Sequence, residues 1–233
     1  MAEEVTYEEQ TALYRQIGRK DWVKALATLQ ENPHEAKIWV TTQYQGGALV
    51  DAASQEDMMV WYRRLPLHHA CSCSSVTLVF IQALIDAYPE ALMERDETGK
   101  VPLIHACRRD TILPVVEAVL TAETAQQPDN EGKCALHWSC EYRANKHKVQ
   151  VLVEMAPAVL HHADKYGRWP LHWECAVVSE RKEKMEVVTY LVEQNPEAVV
   201  VQDADGRTPL QMIDMADVFS LLEKAQAGLK EKT

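Results

Sequence analysis

Apolar residues recur at helical spacing in short segments of the chain. Two segments show this best, 76–88 and 186–194, where the apolar positions are Leu78, Ile81, Leu84 and Ile85, and then Val187, Val188, Leu191 and Val192. Such spacing gives a helix one apolar face. Pro89, Pro157 and Pro196 are expected to end helices of this kind, because proline biases the preceding residue away from the helical conformation. The pattern therefore predicts short amphipathic helices.

These helical segments belong to a repeated stretch of sequence. Five phrases align, LPLHHAC, VPLIHAC, CALHWSC, WPLHWEC and TPLQMID, which begin at residues 65, 101, 134, 169 and 208. An Asp-x-x-Gly sequence precedes the last four phrases and predicts a tight turn in which glycine adopts a positive φ. The proline at the second position of four phrases suits the first turn of a helix, where its missing N–H is harmless.

The combination of turn, phrase and spacing resembles the ankyrin repeat, whose period is about 33 residues and whose phrase is T-P-L-H-x-A. The second residues of the five phrases are separated by 36, 33, 35 and 39 positions. The resemblance implies an all-α ankyrin-repeat solenoid of stacked helix-turn-helix units with divergent N-terminal and C-terminal capping repeats. Neighbouring units would have to stack, because one helix pair is too small to bury its own apolar face.

The alignment divides the chain into a divergent N-terminal capping helix pair, an inserted loop, the ankyrin-repeat stack and a charged tail, over residues 1–36, 37–64, 65–226 and 227–233. In the capping pair, one helix is expected over Tyr7–Ile17 and a second after Asp21. The stack is expected to end in a helix over Ala216–Ala227. Capping units with a polar outer face are what the two ends of an open stack require.

The first phrase also gathers cysteine and histidine, the ligands that zinc prefers and a combination that can form a nucleophile. These residues recur in columns of the alignment, however, with Cys71, Cys107, Cys140 and Cys175 in one column and His68, His137 and His172 in another. Packed helices lie about 8–10 Å apart, so a column cannot converge on one metal ion. We therefore expect no metal, no cofactor and no catalytic site, but small buried thiols and histidines that bond backbone groups.

A basic column lies in the turns, two residues before each helix opener. Its members are Arg64, Lys100, Lys133, Arg168 and Arg207. The resemblance implies that another protein binds at the turn tips and the inner-helix surface, where these residues would form a positive ridge. The alternative is that each basic residue pairs with the aspartate of its own turn, which is Asp96, Asp129, Asp164 or Asp203.

An aromatic column follows the turns and contains Trp138 and Trp173. Further residues of the types enriched at interface hot spots lie close to them in sequence, namely Tyr142, Tyr166, Trp169, Arg108, Arg109 and Arg143. We expect these side chains to contribute to partner binding. The alternative for the two tryptophans of the column is that they pack between adjacent inner helices.

Composition narrows the class of partner. The net charge of −11 disfavours nucleic acid, and no apolar run approaches the roughly 18 residues that a membrane span needs. The acidic N-terminus, MAEEVTYEEQ, does not resemble a secretory signal, so we expect a cytoplasmic or nuclear protein with reduced cysteines.

The expected function is a non-enzymatic protein–protein interaction module, either an adaptor, a scaffold or an assembly subunit, with no small-molecule substrate. The sequence contains no G-x-S-x-G, Walker loop, G-x-G-x-x-G or H-E-x-x-H motif. One alternative is an enzyme that uses a Cys–His pair. A further alternative, ranked below it, is a nucleic-acid binder that uses the basic ridge.

Overall fold

In a computed structural model of the chain, the described residues are 4–6, 10–44, 60–108, 111–177, 182–213, 222–224 and 227. Most of the described residues lie in short helices, as the apolar pattern predicts. No helix within these segments is long and apolar enough to cross a membrane.

A helix pair, α1 (Ala12–Gly18) and α2 (Trp22–Glu31), forms the N-terminal part of the described chain. Thr11 and Asp21 cap these helices, because their side-chain oxygens accept backbone N–H groups of the first turn at 3.2 Å in both cases. The predicted start of the first helix at Tyr7 lies outside the described residues, and α1 begins only after the Thr11 cap.

A small sheet occupies part of the segment predicted as a loop, within a fold that is otherwise mostly helical. Its strands are β1 (Glu4–Thr6), β2 (Trp39–Tyr44) and β3 (Val60–Arg64), with β1 parallel and β3 antiparallel to β2. Trp39 and Val40 are buried, and aromatic and β-branched residues of this kind favour strands. Residues 45–59 of the predicted loop lie outside the described residues.

Each of the first four phrases begins an α-helix at the predicted position, and a second helix follows. The elements are α3 (Pro66–Cys71), α4 (Leu78–Ala87), α5 (Pro102–Ala106), α6 (Leu113–Val119), α7 (Ala122–Gln126), α8 (Ala135–Glu141), α9 (Lys146–Met155), α10 (Pro170–Ala176) and α11 (Lys182–Gln194). The fifth phrase forms a 3₁₀ helix, Pro209–Met212. Of the predicted last helix, residues 222–224 and 227 are described, and they are helical.

Proline marks the ends of four second helices. Single 3₁₀ turns start at Pro33, Pro89, Pro157 and Pro196, one residue after the cap that follows α2, α4, α9 and α11. The cap residue before each proline has left the helical conformation, as expected for a residue that precedes proline.

The helices lie in two rows. In the inner row, α1, α3, α5, α8 and α10 contact one another in that order, and in the outer row α2, α4, α6, α9 and α11 do the same. The core lies between the rows. The leucine at the third position of four phrases is buried in every case, as Leu67, Leu103, Leu136 and Leu171 show. Equivalent positions of successive units therefore contribute to one continuous core.

Candidate protein-binding face

The Asp-x-x-Gly turns share one bonding pattern. At Asp129, one carboxylate oxygen accepts the backbone N–H groups of Glu131 and Lys133 at 2.8 and 3.0 Å, and Gly132 has a φ of 77°. The turns at Asp96, Asp164 and Asp203 repeat these bonds. A Cβ at Gly132 would lie 3.0 Å from the backbone nitrogen of Lys165 in the next turn. Glycine is therefore required both by its φ and by the close approach of the neighbouring turn.

The second carboxylate oxygen of three turn aspartates holds a ring of the inner row. The pairs are Asp129 with Trp138 Nε1 at 2.8 Å, Asp164 with Trp173 Nε1 at 2.9 Å and Asp96 with His105 Nε2 at 2.8 Å. The aspartate precedes its ring by nine residues in each pair, a constant spacing that the sequence shows and that could have identified these bonds. Each aspartate thus closes its turn and orients one ring of the face.

The lysines of the basic column lie against tryptophan rings. Lys133 Nζ is 3.6 Å from the ring centroid of Trp173 and 4.5 Å from that of Trp138, and it donates to Glu141 at 2.9 Å. Lys100 Nζ is 4.0 Å from the ring centroid of Trp138. Such cation–π contacts strengthen when they are shielded from water. Lys133 is only 3% exposed, so it stabilises the turn rather than adding charge to an open ridge.

The arginines of the same column form ion pairs with turn aspartates. Arg207 pairs with Asp203 of its own turn at 3.0 Å, whereas Arg168 reaches that same aspartate from the preceding turn at 3.5 Å. Arg64 likewise lies 3.8 Å from Asp96 of the following turn. The sequence raised the alternative that each basic residue pairs with the aspartate of its own turn. Arg207 pairs in this way, whereas Arg64 and Arg168 pair with the aspartate of the next unit.

The predicted contact residues differ in their exposure. Tyr166 is 43% exposed, and Arg108 and Arg143 are exposed. Trp138 is buried, with 8% of its surface exposed. The half-buried members are Trp169, Trp173, Tyr142, Arg64, Lys100, Arg168 and Arg207. Arg109 lies outside the described residues.

An exposed aromatic group surrounds the turn at Asp164. The Arg168 guanidinium lies 5.3 Å from the ring centroids of both Tyr166 and Trp173. Trp169 lies beside them in sequence, and its ring packs edge-on against His161 with a centroid distance of 5.4 Å. We call Tyr166, Arg168, Trp169 and Trp173 the aromatic face. It combines the residue types that dominate protein interfaces, and all four side chains are at least partly accessible.

The histidine column connects the backbones of successive units. His137 Nδ1 accepts the N–H of Cys134 at 3.2 Å, so the neutral ring carries its proton on Nε2 and donates it to the Arg168 carbonyl at 3.1 Å. His68 and His172 make the equivalent bonds. Burial lowers the pKa of His137 to about 4. The sequence predicted backbone bonds for these rings, and the structure identifies the partners.

All six cysteines are free and buried, as predicted for the cysteine column. Burial raises the pKa of Cys134 to about 11 and the pKa values of Cys107 and Cys175 to about 12, which disfavours the reactive thiolate. Cys134 Sγ is 3.1 Å from His137 Nδ1, but that nitrogen already accepts a backbone N–H. Within the described ranges, no group of three or more His, Cys, Asp or Glu residues could hold a metal ion.

No model of a known protein family matches this chain, and no curated protein matches its sequence. The function is therefore inferred from the residues of the face.

Proposed function

We propose that the chain is an ankyrin-type solenoid that binds another protein and performs no catalysis. The repeated turn, the two rows of helices and the equivalent core positions support this proposal. A solenoid presents the same position of each unit along one extended surface, and such surfaces suit the binding of a protein partner.

The observation that carries the proposal is the aromatic face. Tyr166 projects from a turn with 43% of its surface exposed, and Arg168 lies between it and Trp173. Tyrosine, tryptophan and arginine are enriched among the residues that dominate binding at protein interfaces. The two aromatic residues bury a large area with few rotatable bonds, and arginine adds a planar group with several N–H donors. The bond from Trp173 to Asp164 holds its ring in place before a partner arrives, which reduces the ordering cost of binding.

The two alternatives receive less support from the same residues. A Cys–His enzyme needs an accessible thiolate, whereas the cysteines are buried and their pKa values are raised. A nucleic-acid binder needs a continuous row of accessible cations, whereas Lys133 is buried and Arg168 and Arg207 share Asp203.

The proposal is tested by affinity capture from cell extract with the full chain as bait, quantified by mass spectrometry. The test variant is Tyr166→Ala, and the matched control is Val79→Ala, which changes one exposed apolar residue of the outer row. We expect the amount of protein captured by the test variant to be lower than that captured by the wild type by a factor of about ten or more, because hot-spot residues dominate binding. Equal losses in both variants, or no loss in either, would contradict the proposal.

A further inference from the structure

Two adjoining clefts lie where α1 and α3 end. The larger cleft, of about 420 Å³, is lined by Tyr14, Arg15, Arg19, Arg64 and His69, among others. The smaller, of about 220 Å³, is lined by Lys20, Cys73 and Arg108, among others. Ser72 lines both clefts, and we call the two clefts together the basic cleft.

The charge of the basic cleft is unusual for this protein. Five of its lining side chains are basic, and none of the lining residues in the described part of the chain is acidic, although the whole chain has a net charge of −11. Arg15, Arg19, Lys20 and Arg108 are exposed, whereas Arg64 is half-buried beside Asp96. Cations gathered in a concave surface concentrate the local field and attract anions.

Lys20 occupies a backbone position that favours glycine. Its φ is 58°, and the neighbouring N–H groups of Arg19 and Asp21 bond back to the last turn of α1. A non-glycine residue in this left-handed conformation costs about 1 kcal/mol or more. Arg143 takes the same conformation, with a φ of 57°, after α8. A basic residue thus adopts the left-handed conformation after two inner-row helices.

Two neutral rings also line the larger cleft. The rings of Tyr14 and His69 pack edge-on with a centroid distance of 4.5 Å. Burial, assisted by the nearby Arg64 charge, lowers the pKa of His69 to about 4, so the ring is neutral at physiological pH. Among the described residues, nothing bonds its buried Nδ1.

We propose that the basic cleft binds carboxylate side chains of an extended acidic segment of the partner protein. The inference rests on the proposed function, because it names the chemistry of that partner. Guanidinium groups match carboxylates through paired N–H donors, and alternate side chains of an extended segment lie about 7 Å apart on one side, so one segment can present several carboxylates to the same surface. A nucleic-acid backbone fits less well, since the next cations of the inner row, Lys100 and Lys133, lie against tryptophan rings.

The test uses fluorescence anisotropy with the full chain and a fluorescein-labelled peptide of about twelve residues in which Glu and Ser alternate. A Gln–Ser peptide of the same length and a single-stranded oligothymidine serve as comparison probes. We expect the Glu–Ser peptide to bind at least about tenfold more tightly than either comparison probe. Tighter binding of the oligothymidine would assign the cleft to phosphate and overturn the proposal, as would the absence of Glu–Ser binding.

Matched variants locate the binding. Arg15→Gln/Arg19→Gln removes two exposed charges from the cleft, and Lys24→Gln/Lys224→Gln removes two exposed charges elsewhere. The first pair should weaken Glu–Ser binding by about tenfold or more, and the second by less than about twofold. Equal effects of the two pairs would contradict the proposal.

A measurement on the wild-type chain covers the case in which a variant fails to fold. Addition of the Glu–Ser peptide should shift the NMR ring resonances of His69 and leave those of His137, which is fully buried, unchanged. Unchanged His69 resonances at saturating peptide would overturn the proposal. Failure of this inference is distinguishable from failure of the proposed function, because captured proteins that depend on Tyr166 would remain even if no acidic peptide binds.

Discussion

Glu174 is a buried carboxylic acid in a position where other units carry small residues. It lies on α10, is 5% exposed and aligns with Ala70, Ala106 and Ser139 of the first three phrases, all of them fully buried. Burial raises the pKa of Glu174 to about 8. Three neighbours act in the opposite direction and lower this pKa, namely the charge of Lys184, a hydrogen bond with Cys140 and the charge of Arg143.

This raised pKa makes stability depend on pH with a definite sign. The folded state holds the Glu174 proton up to about pH 8, whereas the unfolded state releases it near the ordinary pKa of 4.5. Stability is therefore highest below about pH 4.5 as far as this group is concerned, and it is lost as the pH rises toward 8. At about 1.4 kcal/mol per pH unit, the folded state at pH 7 is penalised by roughly 3 kcal/mol.

The perturbation that removes this penalty is Glu174→Gln, which keeps the size and shape of the side chain without its charge. Urea denaturation followed by tryptophan fluorescence at pH 5 and pH 8 should show the variant gaining roughly 3 kcal/mol over the wild type between the two pH values. Glu117→Gln, at an exposed outer-row position, is the control and should give no such gain. If the wild type and Glu174→Gln lose stability in parallel as the pH rises, the buried ionisable group is not the cause and the reasoning is wrong.

Three further predictions concern packing, turns and thiols. Trp138→Ala should reduce the free energy of unfolding by about 3–5 kcal/mol, because the side chain is buried. Trp173→Ala, at a half-buried site, should reduce it markedly less. The Trp173 variant should keep the helical circular dichroism signal and bind the partner more weakly. Urea titrations compare the two, and unfolding of the Trp173 variant would favour a packing role. Gly132→Ala should lower the free energy of unfolding more than Gly206→Ala. Both glycines have a positive φ, but only at Gly132 would a Cβ contact the next turn. Equal losses of stability in the two variants would refute this prediction. Iodoacetamide should label the six cysteines slowly at neutral pH, and rapid labelling of one would revive the Cys–His enzyme.

The helix starts could be predicted because their signals are local. The proline that opens α3, α5 and α10, and the Asp-x-x-Gly turn before α5, specify the backbone through residues a few positions apart. The sequence equally predicted that the cysteine column is buried and that the histidine column bonds backbone groups, since a repeated position has a repeated environment.

The strands were missed because their stabilising partners are distant in the chain. β2 pairs with both β1 and β3. β1 lies before α1, and β3 lies after the long segment that follows β2, so no local sequence pattern connects the three strands. The aromatic and β-branched residues of β2 were the available signal.

The arrangement of the face depended on contacts between units. Nothing in the basic column distinguishes Lys133, which lies between two tryptophan rings, from Arg168, which is half-buried beside an exposed tyrosine. The basic cleft likewise combines α1, α3 and the end of α5, so its residues are scattered in sequence.

Site-specific photo-crosslinking tests the central claim, that one face of this chain binds another protein, most directly. A benzoylphenylalanine residue is placed at position 166 on the aromatic face and, in a second sample, at position 79 on the outer row, whose Val79 is 65% exposed. The account predicts discrete covalent adducts with another protein from position 166 and none from position 79. Adducts of equal yield from both positions, or adducts from position 79 alone, would contradict it.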